Sequence, residues 1–292
     1  MEKVIEAVCK GTNSNFGSLS ANKLLPGSHI RQIGQFVFLS HFYPAEVMDY
    51  KTEFTAKVQA HPHRGLVTLT YLFNGELQHH DSKGNHRVIR SGDVQWLNTG
   101  NGIIVDEYPA KSFQKKGGVI HGIQFWINLP SIQKLEASQY NYVDCCNVPQ
   151  VSMPGNSGIL KLLMGRIGCA CSGLEGAGQN VYHLKLNPKG RLLLPVESGD
   201  EYSVFVPEHN ILLNGHVFGQ SELIALSREG TEINICNLHI HPVDVIVFGG
   251  QPNLESLIVQ GPYAMNNRTG IGDAYRDFFD GKYGHINYPS SC

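Results

Sequence analysis

Across residues 66–108 the chain is cut into short β-prone segments, each ended by a turn, and no other feature of the sequence restricts the fold so far. Leu66-Val67-Thr68-Leu69-Thr70-Tyr71-Leu72 is dense in the branched and aromatic side chains that suit a pleated surface, and Asn74-Gly75 turns the chain back. Glu76–Asp81 returns, Ser82-Lys83-Gly84-Asn85 turns it again, and His86–Arg90 follows. Ser91-Gly92-Asp93 and Thr99-Gly100-Asn101-Gly102 then bracket Val94-Gln95-Trp96-Leu97. A meander of evenly spaced strands closes readily into a jelly-roll barrel. The second half has the same texture, with β-prone stretches at residues 159–164, 181–186, 191–194, 202–206, 211–213, 223–226, 233–236 and 243–248. The fold class that follows is all-β, two jelly-roll β-barrels in tandem.

A chain of 292 residues is long enough for two domains that each bury a core. The expected domains are residues 1–132 and 133–292, joined by a polar stretch over 129–154 with one helical turn near 133–137. Near the C-terminus Ile271, Tyr275 and Phe278 fall at i, i+4 and i+7 behind Thr269, a cap, and ahead of Gly281, a stop. That pattern predicts a short amphipathic helix.

Charge excludes several function classes. A net charge of -2 offers no basic excess to neutralise phosphates, so direct nucleic-acid binding and attachment to an anionic membrane are not expected. No apolar run approaches the ~18 residues of a membrane span, and the start of the chain lacks the pattern of a secretory signal. Seven cysteines at irregular spacing suit a reducing compartment, and the cytoplasm is the expected location. Cys145-Cys146 and Cys169-x-Cys171 lack a second pair at zinc-site spacing and read as small buried residues.

One arrangement carries chemistry. His61-Pro62-His63 places two imidazoles on the same face of a strand, where they can share a divalent transition metal. Glu107, on the strand after Gly100-Asn101-Gly102, is the candidate third ligand, since two His and one carboxylate form a facial triad with open positions. Among 14 histidines, other pairs arise without function. His239-Ile240-His241 has no acidic residue suitably placed downstream and reads as solvent-facing or locally bonded. Trp96 and Trp126 read as core.

The neighbourhood of the first pair resembles a known family. His61-Pro62-His63-Arg64-Gly65, Thr70-Tyr71, Asn74-Gly75-Glu76, His79, Asp81-Ser82 and Gly92-Asp93-Val94-Gln95-Trp96 are similar to the N-terminal cupin domain of the pirin family. So are Gly100-Asn101-Gly102-Ile103, Glu107 and the run from His121-Gly122-Ile123-Gln124 to Asn128-Leu129-Pro130. The lead-in Phe36-Val37-Phe38-Leu39-Ser40-His41-Phe42 and the late segments Val259-Gln260-Gly261-Pro262-Tyr263 and Asp280-Gly281-Lys282-Tyr283-Gly284 extend the likeness over the whole chain.

The resemblance implies two cupin domains, the second without a metal motif, and a metal in the first held by three His and one Glu. Two of those His match His61 and His63, and the Glu matches Glu107; at the fourth position this chain has Val105. It also has Val67 where the family carries Glu; on an unbroken strand Val67 shares a side with His63, while Asp106 points away from Glu107. His79, His80 and His121 are possible replacement ligands, His121 reading rather as a bonded core histidine. The expected cofactor is one divalent transition metal, iron by the family's pattern, or none if the exchange at Val105 abolishes the site. Expected partners are a small apolar or enolic ligand in the N-terminal barrel, and other proteins. The function implied is that of a pirin-like member with a degenerate metal site, acting as a binding or regulatory module. The alternative is a quercetinase-type dioxygenase in which Glu107 serves as both ligand and catalytic base.

Overall fold

Short strands need partners to bury their faces, and here they find them across two barrels. The computed structural model describes residues 1–17, 19–47, 59–174 and 178–289. The chain opens with β1 (Ile5–Cys9), β2 (Thr12–Phe16), β3 (Leu19–Leu25) and β4 (Phe36–Val47). The meander follows as β5 (His61–His63), β6 (Leu66–Asn74), β7 (Glu76–Asp81), β8 (His86–Arg90), β9 (Val94–Asn98) and β10 (Ile103–Pro109). A short helix α1 (Lys111–Lys116), unforeseen in the sequence, leads to β11 (Gly118–Asn128) and β12 (Gln139–Val143).

The N-terminal barrel is made of two sheets. One has the order β12-β9-β6-β11-β4-β3-β2 and the other β5-β10-β7-β8. Phe42, Leu72, Leu77, Ile89 and Ile120 fill one part of the interior, and Phe113 seals α1 onto them. The C-terminal barrel is built likewise. Its larger sheet runs from β1 through strands Glu222–Leu226, Glu201–Val206, Val243–Gly250, Gln179–Leu186 and Gly158–Met164 to Gln150–Ser152; the smaller holds Arg191–Pro195, Glu232–Asn237, Ile211–Leu213 and His216–Phe218. Its core is almost wholly aliphatic, with Leu162, Leu184, Val204, Ile224, Ile233 and Val245 inaccessible to solvent.

The expected division at 132/133 differs from the compact units. These are residues 1–12, 22–39 and 147–253 on one side and 13–21, 40–146 and 254–292 on the other. Pairing explains the exchange. β1 lies against Glu222–Leu226, and β12, inside the stretch expected to be a linker, lies against β9. The expected helical turn is a single 3-10 turn at Ser131–Gln133.

The C-terminal helix α2 (Arg268–Phe279) forms as expected, but Asn267 rather than Thr269 caps it, its side chain accepting from the Gly270 amide. It buries Ile271 and Ala274 against Tyr263, Met265 and Tyr283. Gly102, at φ 117°, allows close packing here, because a Cβ would stand 2.1 Å from the Tyr283 ring. The paired cysteines are not buried: Cys145, Cys146, Cys169 and Cys171 are exposed, since they occupy a turn and the end of a two-residue hairpin, and only Cys9 of the described cysteines is buried. Among the described residues no helix is long and apolar enough to cross a membrane.

Candidate metal centre

β5 pairs antiparallel with β10, setting His63 opposite Ile103 and His61 opposite Val105. The two imidazoles meet at their tips, Nε2 to Nε2 at 3.0 Å. His61 Nδ1 donates to the Gln59 carbonyl at 2.7 Å, and His63 Nδ1 to the Pro262 carbonyl at 3.2 Å. With both Nδ1 atoms protonated, each neutral ring turns an unprotonated Nε2 toward the other. Two lone pairs face to face repel unless a cation lies beside them. Metal–imidazole bonds of about 2.1 Å at right angles leave the two nitrogens about 3 Å apart. Burial, and then the neighbouring His61, push the His63 pKa down to about 3, which keeps the ring in its ligand form. The edge of Trp126 packs against His63 with ring centres 4.9 Å apart, so this half-buried indole borders the pair rather than filling the core.

Glu107 stands two residues beyond Val105 on the same face of β10, opposite His79 on β7. Its carboxylate is bracketed by three side chains. His79 Nδ1 and the Gln95 amide reach Oε1 at 3.1 and 2.5 Å, and the Gln124 amide donates to Oε2 at 2.9 Å. Gln95 and Gln124 come from β9 and β11, both in register with Thr70 of β6, so the sheet opposite β10 presents them on one inward face. His79 also bridges to Asp81 at 3.3 Å and stacks on Tyr140. Burial alone would lower the His79 pKa, but hydrogen bonds and charge from Asp81 and Glu107 outweigh it and push it up to about 9. For Glu107 burial works upward, yet the bond and charge of His79 and the amide of Gln95 bring its pKa below the ordinary value.

Val105 completes the inner face with an apolar plug, packed with Leu97 and Ile103. Val67 does not line this pocket, contrary to the expectation from an unbroken strand. Gly65, at φ 78° and too close to the Ala264 carbonyl to carry a Cβ, separates β5 from β6 and resets the alternation. Val67 pairs with Asn98 and Ile127, on the face opposite to Thr68 and Thr70. Asp106 points away from Glu107 as expected, and there it is fully buried and accepts a hydrogen bond from Tyr288 at 2.7 Å.

Of the possible replacement ligands, only His79 touches Glu107. His80, one residue on and therefore on the outer face, contacts His86 and Tyr108. His121 is buried with its Nε2 2.8 Å from that of His41. Among the described residues no three His, Cys, Asp or Glu side chains are arranged to hold a metal ion as placed. The donor chemistry nonetheless suits one: His61 and His63 offer two lone pairs at ligand spacing, and the charge of Glu107 acts on both rings.

The sequence matches the Pirin family over residues 18–127 and the Pirin C-terminal cupin domain over residues 181–284. The chain belongs to the pirin family. A pirin relative from Pseudomonas aeruginosa, provisionally named a quercetin 2,3-dioxygenase, is 29% identical over 255 residues, covering 87% of each chain. The solved structure of a quercetin 2,3-dioxygenase from Acinetobacter baumannii superposes with a TM-score of 0.90 at 27% identity, covering 98% of this chain and 100% of the other. A bacterial pirin from Escherichia coli, solved in complex with nickel(II), shares the fold at a TM-score of 0.64 and 17% identity, over 85% of this chain and 99% of its own.

The bracket around Glu107 was not read as a site from the sequence. Gln95, Gln124, Asp81 and Tyr140 are scattered over more than 50 positions, and only the sheet register brings them together. The available signal was alternation: Gln95 and Gln124 are polar at inward positions of otherwise apolar strands.

Proposed function

We propose that the N-terminal barrel of this pirin is a binding or regulatory module with a reduced metal site, in which His61 and His63 are the main ligands and Glu107 a third. The observation that supports this is the state of Glu107. Both its oxygens are engaged by His79, Gln95 and Gln124, and the position two residues before it is the aliphatic Val105. A carboxylate held by three donors has about one lone pair left, and if that binds metal none remains to take the substrate's hydroxyl proton. The expected ion is a single divalent transition metal, iron by family pattern. When bound, such an ion supplies Lewis acidity and open coordination positions. The protein's own residues do the rest: the half-buried Trp126 and Tyr140 offer apolar surface to a small enolic or aromatic ligand, and the carbonyls of Gln59 and Pro262 orient the two rings. Function then passes through protein partners in the cytoplasm.

A second reading, quercetinase-type dioxygenation, draws on the name of the Acinetobacter baumannii neighbour and on the paired imidazoles. Metal analysis by mass spectrometry of untagged protein, beside a His61→Ala, His63→Ala double variant, tests the shared premise. About one equivalent of transition metal, lost in the double variant, is expected. A wild type that stays metal-free after reconstitution refutes the site. If metal binds, oxygen consumption with flavonols separates the readings, and turnover that Glu107→Gln abolishes favours the enzyme.

A further inference from the structure

The strand that carries the imidazole pair is backed by a segment from the far end of the chain. Ile258–Gln260 and Tyr263–Met265 form a hairpin whose tight turn is Gly261-Pro262. Gly261, at φ 57°, supplies the positive φ that such turns need at their first position. The turn brings the Pro262 carbonyl to His63 Nδ1 at 3.2 Å. The hairpin then continues along the chain next to β5: Tyr263 bridges to Arg64 in parallel register, and the Ala264 amide donates to the Arg64 carbonyl at 3.0 Å.

The same hairpin packs on α2, where Tyr263 meets Tyr275 edge to face with ring centres 4.8 Å apart. α2 is in turn bonded back to the residue that follows β5. The Arg64 guanidinium donates to Asp277 of α2 at 2.7 Å and to the Tyr283 hydroxyl just beyond the helix, and that hydroxyl donates to the Ala274 carbonyl at 2.8 Å. Arg64 is buried, and separating a buried charge from its partner is strongly unfavourable, so the ion pair is a firm link. The path from His63 through the hairpin and α2 to Arg64 is therefore a closed ring of contacts. Of two residues adjacent in sequence, one is held by the tip of the hairpin and the other by the helix.

We infer that Arg64 and Asp277 are positioning residues for His63: their ion pair seats α2 and the hairpin and so fixes the Pro262 carbonyl beside the His63 ring. The consequence for metal rests on the reading of His61 and His63 as ligands; the positioning itself does not. A neutral His63 has one ring proton and two acceptors for it, the Pro262 carbonyl beside Nδ1 and the His61 lone pair 3.0 Å from Nε2. While the carbonyl stays in place the proton sits on Nδ1, and Nε2 offers its lone pair. When the hairpin withdraws, the proton passes to Nε2 and is donated to His61, which engages both nitrogens that a metal would use. The number of bound protons is the same in the two states; only the tautomer differs.

Nitrogen-15 chemical shifts of the imidazoles in the metal-free full chain, in mildly alkaline solution, test it. The wild type is expected to carry the His63 proton on Nδ1. Asp277→Asn, which keeps the shape of the side chain but not its charge, should shift His63 toward the Nε2-protonated form and weaken nickel(II) binding about tenfold. Asp277→Glu should largely restore both. Lys282→Gln, which removes the other cation bonded to Asp277, should change neither. Arg64→Lys, which keeps the charge but loses the planar fork that reaches Asp277 and Tyr283 together, should act as Asp277→Asn does and replaces it if that variant does not fold. A purely structural ion pair would lower the urea midpoint of these variants and leave the His63 shifts as in the wild type. That result, or a wild type already protonated at Nε2, overturns the inference. A His63 tautomer that responds to Asp277→Asn in a protein that takes up no nickel supports the positioning and refutes the metal reading instead.

Discussion

If Val105 stands where the proposed metal site has lost an imidazole, replacing it with His should have opposite effects with and without metal. Val105 is 3% exposed, pairs with His61 and packs with Leu97 and Ile103. In metal-free protein the larger, polar ring overfills an apolar site and lacks a hydrogen-bond partner, which costs about 2 kcal/mol of stability. With metal the same ring adds a third nitrogen next to a pair already at ligand spacing. If affinity rises about a hundredfold, saturating metal stabilises the variant by about 2.7 kcal/mol more than the wild type, enough to reverse the deficit. Urea unfolding of wild type and Val105→His, in chelator and then in excess nickel(II), reads both signs. The variant should be the less stable protein in chelator and the equal or more stable one in nickel. A variant that is destabilised equally in both conditions would refute the placement of residue 105 beside the metal.

The remaining predictions concern the surroundings. Val67→Gln should leave metal content unchanged, because Val67 faces away from Glu107; a loss of metal measured by mass spectrometry would contradict the register. Tyr288→Phe removes the hydroxyl that donates to buried Asp106 and should cost about 1–3 kcal/mol in urea unfolding. Burial brings the Lys134 ammonium, bonded to Asn128 and the Ala264 carbonyl, down to about 8. Between that pH and the ordinary lysine pKa the unfolded chain binds the extra proton, so stability rises with pH across this window, by up to about 3 kcal/mol relative to Lys134→Met. A difference between the two proteins that stays flat from pH 7.5 to about 10 would show that the amine is not perturbed.

Strand positions were legible because each is short, β-rich and ended by Gly, Asn or Asp. Glu76–Asp81 and His86–Arg90 occur as read, and the strands of the second half lie within a residue or two of expectation. The pairing of His61 with His63 was legible for the same reason, since alternation holds within a strand of three residues. Alternation could not be carried across Gly65, whose left-handed backbone is a matter of tertiary contact with Ala264, and so Val67 was placed on the wrong face. Long-range pairings were equally hidden: nothing local in residues 1–12 marks β1 as an edge strand of the C-terminal barrel.

Strand register explains how the barrel would accommodate the reduced metal site proposed above. His79 faces Glu107 while His80 faces Asp106, so β7 and β10 carry two polar layers back to back, each closed on itself. A buried carboxylate without partners is strongly destabilising, and a pirin that relied on metal to satisfy Glu107 would lose its fold with the ion. Here His79, Gln95 and Gln124 satisfy Glu107 without one. In the proposed reduced site the exchange at Val105 therefore removes a ligand without leaving a charge exposed to an apolar wall. On that proposal metal occupancy would be freed from the folding of the domain, the condition a site needs if its filling is to vary with metal supply while the surrounding surface stays intact.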